Sequence, residues 1–89
     1  MYYVYIIQSV SNPNKTYVGY TEDLKKRIFE HNIGANKSTE NFKPWKLLSY
    51  IALTDKYQAL QLEKYLKQGS GKAFMNKHLI TISSPHEQL

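Results

Sequence analysis

Two tyrosine-rich segments, Tyr3-Val4-Tyr5 and Tyr17-Val18-Gly19, precede Arg27, the single arginine among twelve basic residues. Lysine serves as well as arginine on a merely solvated surface, so a lone arginine points to a task for a permanently charged planar fork. Phosphate is the matching ligand, because it accepts two parallel hydrogen bonds from that fork. A lysine-biased composition is the competing account. Tyrosine joins an apolar ring to a polar tip, which suits a half-buried cleft where rings pack and hydroxyls reach a partner. The same residues are also good strand formers. A formal net charge of +5 and a pI near 9.4 make nucleic acid or another acidic surface the natural partner class. Lysines at 25, 26, 37, 43, 46, 64, 67, 72 and 77 form a phosphate-tracking surface, a solvated exterior, or a mixture of the two.

The elements that must position these residues can be read from pattern. Residues 2 to 8 run apolar with aromatic and β-branched side chains, Ser11-Asn12-Pro13-Asn14 supplies turn chemistry, and Thr16 to Thr21 resumes strand composition. This predicts an antiparallel hairpin, and an even pairing sum places Tyr5 and Tyr17 on one face. Thr21 is the expected cap of a helix of about three turns, with Glu22 and Asp23 in its first turn. Leu24 and Ile28 start the apolar stripe, so Arg27 and His31 border the buried face. Asn32 and Gly34 offer a left-handed stop, and Ala35 to Lys43 reads as a polar loop able to touch a phosphate backbone.

A third strand is expected from Trp45 to Leu53, too apolar to be a fully exposed edge. Asp55 then caps a second helix with a core stripe at Ala59, Leu62 and Leu66, and Glu63 lies beside that stripe. Gly69-Ser70-Gly71 breaks it, and Ser70 is the expected cap of a short third helix through His78. Ile80-Thr81-Ile82 leads to a polar tail over 83–89, so residues 1–82 are read as one domain. Eighty-nine residues support a single modest core. The absence of cysteine excludes disulfides, thiolate metal sites and a cysteine nucleophile, and it fits a reducing compartment, with the cytoplasm as default. The apolar start, Met1 to Ile7, lacks a basic leader and is too short for a signal peptide or membrane span.

The order of these elements and the residues on them resemble the GIY-YIG nuclease superfamily, small ββαβα domains that hydrolyse DNA phosphodiesters. Tyr3-Val4-Tyr5 is similar to its first motif, with Tyr3 where the leading glycine would stand, and Tyr17-Val18-Gly19 is similar to its second. Arg27 matches the family's helix arginine, His31 a position one turn on that often carries histidine, and Glu63 the metal-binding glutamate of a later helix. Asn76 stands near the family's late asparagine. Within the superfamily the chain resembles the small YhbQ-like, UPF0213-type bacterial proteins, through Arg27-Ile28-Phe29-Glu30-His31-Asn32 and Glu63-Lys64-Tyr65-Leu66-Lys67-Gln68-Gly69-Ser70-Gly71. The resemblance implies an α/β (α+β) fold, a three-stranded antiparallel sheet flanked by helices. It also implies a DNA endonuclease with Tyr5, Tyr17, Arg27, His31 and Glu63 in its site, Mg²⁺ or Mn²⁺ on Glu63, and a place in DNA repair or processing.

The chemistry suits those residue types. Phosphodiester hydrolysis needs an activated water, charge neutralisation at the phosphoryl oxygens and help for the leaving alkoxide. Tyr5 or Tyr17 can deprotonate water only if a nearby cation lowers a phenol pKa from about 10. Lys25, Lys26, Lys37, Lys43, Lys72 and Asn76 are the candidate contacts to nucleic acid, with RNA left open beside DNA. Each residue also has an ordinary reading: strand packing for the tyrosines, a helix-surface pair with Asp23 or Glu30 for Arg27, an i+4 pair with Lys67 for Glu63, and a hydrogen-bonding support role for His31. The rival function is a catalytically weak nucleic-acid-binding module or an interaction subunit of a repair complex.

Overall fold

A central strand with opposite chemistry on its two faces organises the molecule. The computed structural model describes residues 1–79; the expected Ile80-Thr81-Ile82 segment, the tail over 83–89 and the proposed domain end at 82 lie outside the described residues. Strand β1 (Tyr2–Ser9) pairs antiparallel with β2 (Thr16–Thr21) and with β3 (Trp45–Leu53), giving the order β2-β1-β3. Helix α1 (Leu24–Asn32) follows β2, a short 3-10 turn (Glu40–Phe42) precedes β3, and α2 (Lys56–Leu66) and α3 (Gly69–His78) follow it. This is the α+β architecture of a three-stranded antiparallel sheet with helices on both faces.

The β1–β2 register pairs Tyr5 with Gly19 and Ile7 with Tyr17, so the two tyrosines do share a face. Val4, Ile6 and Val18 point the other way and form a core with Ala59, Leu66 and Met75 of α2 and α3. Each buried Val, Ile, Leu or Met side chain among them contributes about 1.5–3 kcal/mol over leaving it in water, and Ala59 less. Tyr5, Ile7 and Trp45 form a second cluster, on which Tyr17, Leu24, Ile28 and Phe42 pack. Thus α1 covers one face of the sheet and the α2–α3 pair the other.

Several boundaries depart from the pattern reading. The cap of α1 is Asp23, whose carboxylate accepts from the Lys26 backbone N–H at 3.1 Å. Thr21 is still paired with Tyr3 in the sheet, and its hydroxyl instead accepts from the Asp23 N–H. Asp55 caps α2 as expected, accepting from the Gln58 N–H at 2.8 Å. Helix α3 begins at Gly69, one residue before the expected Ser70 cap, with Gln68 at the cap position. Gly71 is buried in the α2–α3 contact, where a Cβ would overlap the Tyr65 carbonyl. Gly34 supplies the left-handed stop after α1, at φ +80°. Strand β3 is more open than its composition implied: it is an edge strand, and Tyr50 is 51% exposed.

Candidate active site

The α1 face of the sheet buries polar groups in series. Tyr5 lies at the middle of β1 with its ring laid across the β2 backbone at Gly19, where any Cβ would overlap the ring and hydroxyl. The Tyr5 hydroxyl is 2.7 Å from His31 Nε2, and His31 Nδ1 is 2.8 Å from Thr39 Oγ1. Thr39 Oγ1 in turn donates to the Asn36 carbonyl at 3.4 Å. In the tautomer assigned from these contacts, with the threonine proton directed to Asn36, His31 donates from Nδ1 to Thr39 and accepts at Nε2 from the Tyr5 O–H. Trp45 Nε1 donates to the Thr39 carbonyl at 2.9 Å, which locks the loop end of this chain of hydrogen bonds.

Burial is complete at the centre: His31 and Thr39 are both 0% exposed. His31 is therefore not at the rim of a cleft, as its border position on the helix implied, but beneath one. Its pKa is pushed below the ordinary imidazole value by burial and by the Arg27 charge, opposed by Glu30. The Tyr5 phenol is pushed up, first by burial, then by the negative charge Tyr17 and Glu63 would place beside it, while Arg27 pulls the other way. A phenol so held is a hydrogen-bond donor at neutral pH. The expectation that a cation depresses it does not hold for Tyr5, because burial outweighs Arg27.

Arg27 sits one turn before His31 on α1, half-exposed, with Nε 3.2 Å from Glu30 Oε1. That contact uses Nε and leaves the terminal nitrogens out of the Glu30 pair. Tyr17 on β2 is half-buried, its ring centroid 6.5 Å from that of Tyr5 and 5.3 Å from that of His31. Glu63 arrives from α2, on the opposite side of the sheet. It reaches the same place around the open β2 edge: its carboxylate binds Lys67 Nζ at 2.9 Å, and that ammonium lies 5.4 Å from the Tyr17 ring centroid, over its face. Side chains from both faces thus meet at one edge, beside Tyr17.

Glu63 fits a hard divalent cation. It is a carboxylate with 23% of its side chain exposed, and it already holds a cation, the lysine's, in this arrangement. No group of three or more acidic, histidine or cysteine side chains clusters among the described residues, so Mg²⁺ or Mn²⁺ would keep several waters and take further oxygens from substrate.

The candidate nucleic-acid contacts divide. Lys26 lines a depression with Tyr20, Glu22 and Arg27, and Lys37 lines another with Arg27, Glu30 and Asn36, so both flank the arginine. Lys72 lines a groove of about 230 Å³ along β2, with Thr16, Tyr17, Val18, Leu66, Lys67 and Met75. Lys25 and Lys43 are exposed on and after α1. Asn76 is exposed on α3 and is not among the groove residues. Pattern reading missed Thr39, placed in a phosphate-touching loop but turned inward as the histidine's partner; no sequence signal marks it. It also left Lys67 outside the site, although its i+4 spacing from Glu63 was the available clue.

Residues 1–78 match the family described as the GIY-YIG catalytic domain, and the chain belongs to that family. It is 37% identical over 67 residues to the UPF0213 protein YsiG of Lactococcus lactis, covering 74% of this chain and 62% of that one. It is 35% identical over 72 residues to the UPF0213 protein SAG0778 of Streptococcus agalactiae, covering 80% of each. It is also 31% identical over 85 residues to the structure-specific endonuclease subunit SLX1 of Candida dubliniensis, but it spans only 28% of that protein's length. The solution NMR structure of the UPF0213 protein BH0048 from Bacillus halodurans superposes over 98% of this chain and 92% of its own, with a TM-score of 0.55 and 27% identity. The resemblance read from the motifs is thus borne out at the level of family and fold. Among the described residues, no helix is long and apolar enough to cross a membrane.

Proposed function

We propose that this chain is a divalent-metal-dependent endonuclease that hydrolyses DNA phosphodiesters, acting in the cytoplasm in repair or processing of DNA. One observation carries the reading: Glu63 stands on a helix covering the face of the sheet opposite α1, yet the lysine it holds at 2.9 Å lies 5.4 Å from the ring centroid of Tyr17, which packs 5.3 Å from His31 on the α1 side. Packing alone gives no reason for a carboxylate and its lysine from one face to lean toward a tyrosine of the other. Membership of a catalytic-domain family, and similarity to a structure-specific endonuclease subunit, support the same conclusion.

Arg27 would grip two phosphoryl oxygens with its terminal nitrogens and neutralise the charge that builds on them. Glu63 would hold the Mg²⁺ or Mn²⁺. When bound, that ion supplies Lewis-acid stabilisation of the phosphoryl group and the leaving oxygen. We assign the orientation and deprotonation of the attacking water to Tyr17. Tyr5 takes a different part: its hydroxyl donates to His31, and burial opposes its ionisation, so it holds Tyr17 and the phosphate site in place. Tyr17 would act as its phenolate, its own proton having gone to solvent; the water oxygen bonds to phosphorus as the bond to the leaving alkoxide breaks, the water's proton goes to the Tyr17 phenolate, and the alkoxide takes a proton from solvent.

The test is incubation with duplex, nicked, flap, junction and single-stranded DNA, and with RNA, in Mg²⁺, in Mn²⁺ and in chelator. Cleavage of at least one DNA, lost with chelator, is expected. Binding without cleavage of any of them would identify a nucleic-acid-binding module that keeps the fold.

A further inference from the structure

We propose that Lys67 is an internal, displaceable cation that couples metal binding at Glu63 to phosphate binding in the groove along β2. The inference rests on the reading of Glu63 as the metal-holding residue. An i,i+4 pair on a solvated helix face is common and weak. This pair differs in where its cation lies. The Lys67 ammonium sits 2.9 Å from the Glu63 carboxylate and simultaneously over the Tyr17 ring, at the mouth of the candidate site. Tyr17 and Lys67 both line the groove, and Lys72 lines it too.

A dication on Glu63 and an ammonium in contact with the same carboxylate repel, so metal entry must move Lys67. The four-carbon stem has somewhere to go. The groove is lined by the apolar Leu66, Met75 and Val18 together with Thr16 and Tyr17 of β2. With Lys67 turned into it beside Lys72, it presents two point charges to the backbone phosphate of a strand entering the site. In the metal-free protein Lys67 therefore satisfies Glu63; in the metal-bound protein it serves phosphate. Since the coupling is a free energy between two sites, it acts in both directions, and phosphate in the groove must tighten metal binding by the factor by which metal tightens phosphate.

The decisive measurement needs no cleavage. Mn²⁺ is titrated into the DNA-free protein, followed by electron paramagnetic resonance of the free ion, for the wild type, Lys67→Gln, Lys67→Glu and Glu63→Gln, with circular dichroism to verify folding. Lys67→Gln should bind Mn²⁺ roughly two- to fivefold more tightly than wild type, the range expected from releasing a half-exposed ion pair. Lys67→Glu should bind more tightly still, and Glu63→Gln should not bind at this site. In parallel, Ca²⁺ should raise the affinity of the wild type for a short single-stranded oligonucleotide more than it does for Lys67→Gln, measured by fluorescence anisotropy. Equal Mn²⁺ affinity in wild type and Lys67→Gln, Mn²⁺ binding that survives Glu63→Gln, or no binding in any variant overturns the proposal. Lys67-dependent Mn²⁺ binding in a protein that cuts nothing would overturn the nuclease reading and leave this one standing; cleavage with no effect of Lys67 would do the reverse.

Discussion

The two faces of β1 are packed by different rules. Under α2 and α3, Val4, Ile6, Val18, Ala59, Leu66 and Met75 make an apolar core that tolerates change in proportion to the volume removed. Under α1, the buried set includes His31, Thr39 and Ser9 beside Tyr5, Ile7 and Trp45, and no buried side-chain nitrogen or oxygen among the described residues lacks a partner. A hydrophobic core is cheap to perturb slightly; a satisfied polar network is not, because removing one partner leaves another group desolvated and unpaired. The apolar face holds the sheet together, and the polar face spends part of its stability on holding Tyr5, Tyr17 and Arg27 in one geometry.

The sharpest way to break this comparison is through Glu63, the residue that the apolar-side helix lends to the polar-side site. Glu63→Gln should abolish metal-dependent cleavage while leaving DNA affinity unchanged or slightly higher, because a carboxylate near phosphate is removed. Full cleavage by that variant would separate the two faces again. Arg27→Lys should fail to restore the wild-type rate, since lysine keeps the charge and loses the fork. Next in size is Tyr17→Phe, for which a loss of about a hundred- to ten-thousandfold in rate is expected from the loss of proton transfer. Its melting temperature should scarcely move, as the ring is kept.

Two substitutions of middling effect then set the faces side by side. Ile6→Ala, on the apolar side, should cost about 2–5 kcal/mol of stability in urea unfolding, and the folded fraction should cut DNA at the parental rate. Tyr5→Phe, on the polar side, should cost about 1–3 kcal/mol for deleting one oxygen, because His31 Nε2 loses its donor at 2.7 Å. An equally large cost for Tyr17→Phe would show that the hydroxyl network extends to the edge of the sheet and that the distinction drawn between the tyrosines is wrong.

The faces also differ in how far they could be read from sequence. Periodicity exposed the apolar one almost completely: the stripe of Ala59, Leu62 and Leu66 and the alternation in β1 are direct consequences of turning 3.6 or 2 residues per repeat. The placement of Tyr5 with Tyr17 followed from the same arithmetic. His31 was legible as a neighbour of Arg27 but not as buried, because burial of a polar side chain depends on a partner, and its partner Thr39 comes from an irregular loop with no period. Lys67 was legible as a pair for Glu63, and its position over the Tyr17 ring was not, since that requires knowing that α2 reaches around the β2 edge. Composition misjudged β3 for a related reason: strand residues were counted as apolar without knowing that the order β2-β1-β3 leaves that strand at an edge.

The smallest expected effect is also the most specific to the polar face. His31 is held in its neutral form by burial and by Arg27, so its folded pKa lies below the unfolded value near 6.5. As pH falls through about 6.5 the unfolded chain takes up a proton that the folded protein still refuses, so the unfolded state binds more protons and stability falls with falling pH. The loss continues until the folded pKa is reached, and one such group changes stability by at most about 1.4 kcal/mol per pH unit. Urea midpoints measured from pH 7.5 down to pH 5 should decline in the wild type and decline less in His31→Gln, where no buried imidazole remains. Ile6→Ala should keep the wild-type slope despite its larger loss of stability. Parallel pH profiles for wild type and His31→Gln would mean that the imidazole titrates freely, and the bonds to Tyr5 and Thr39 would then not hold it neutral.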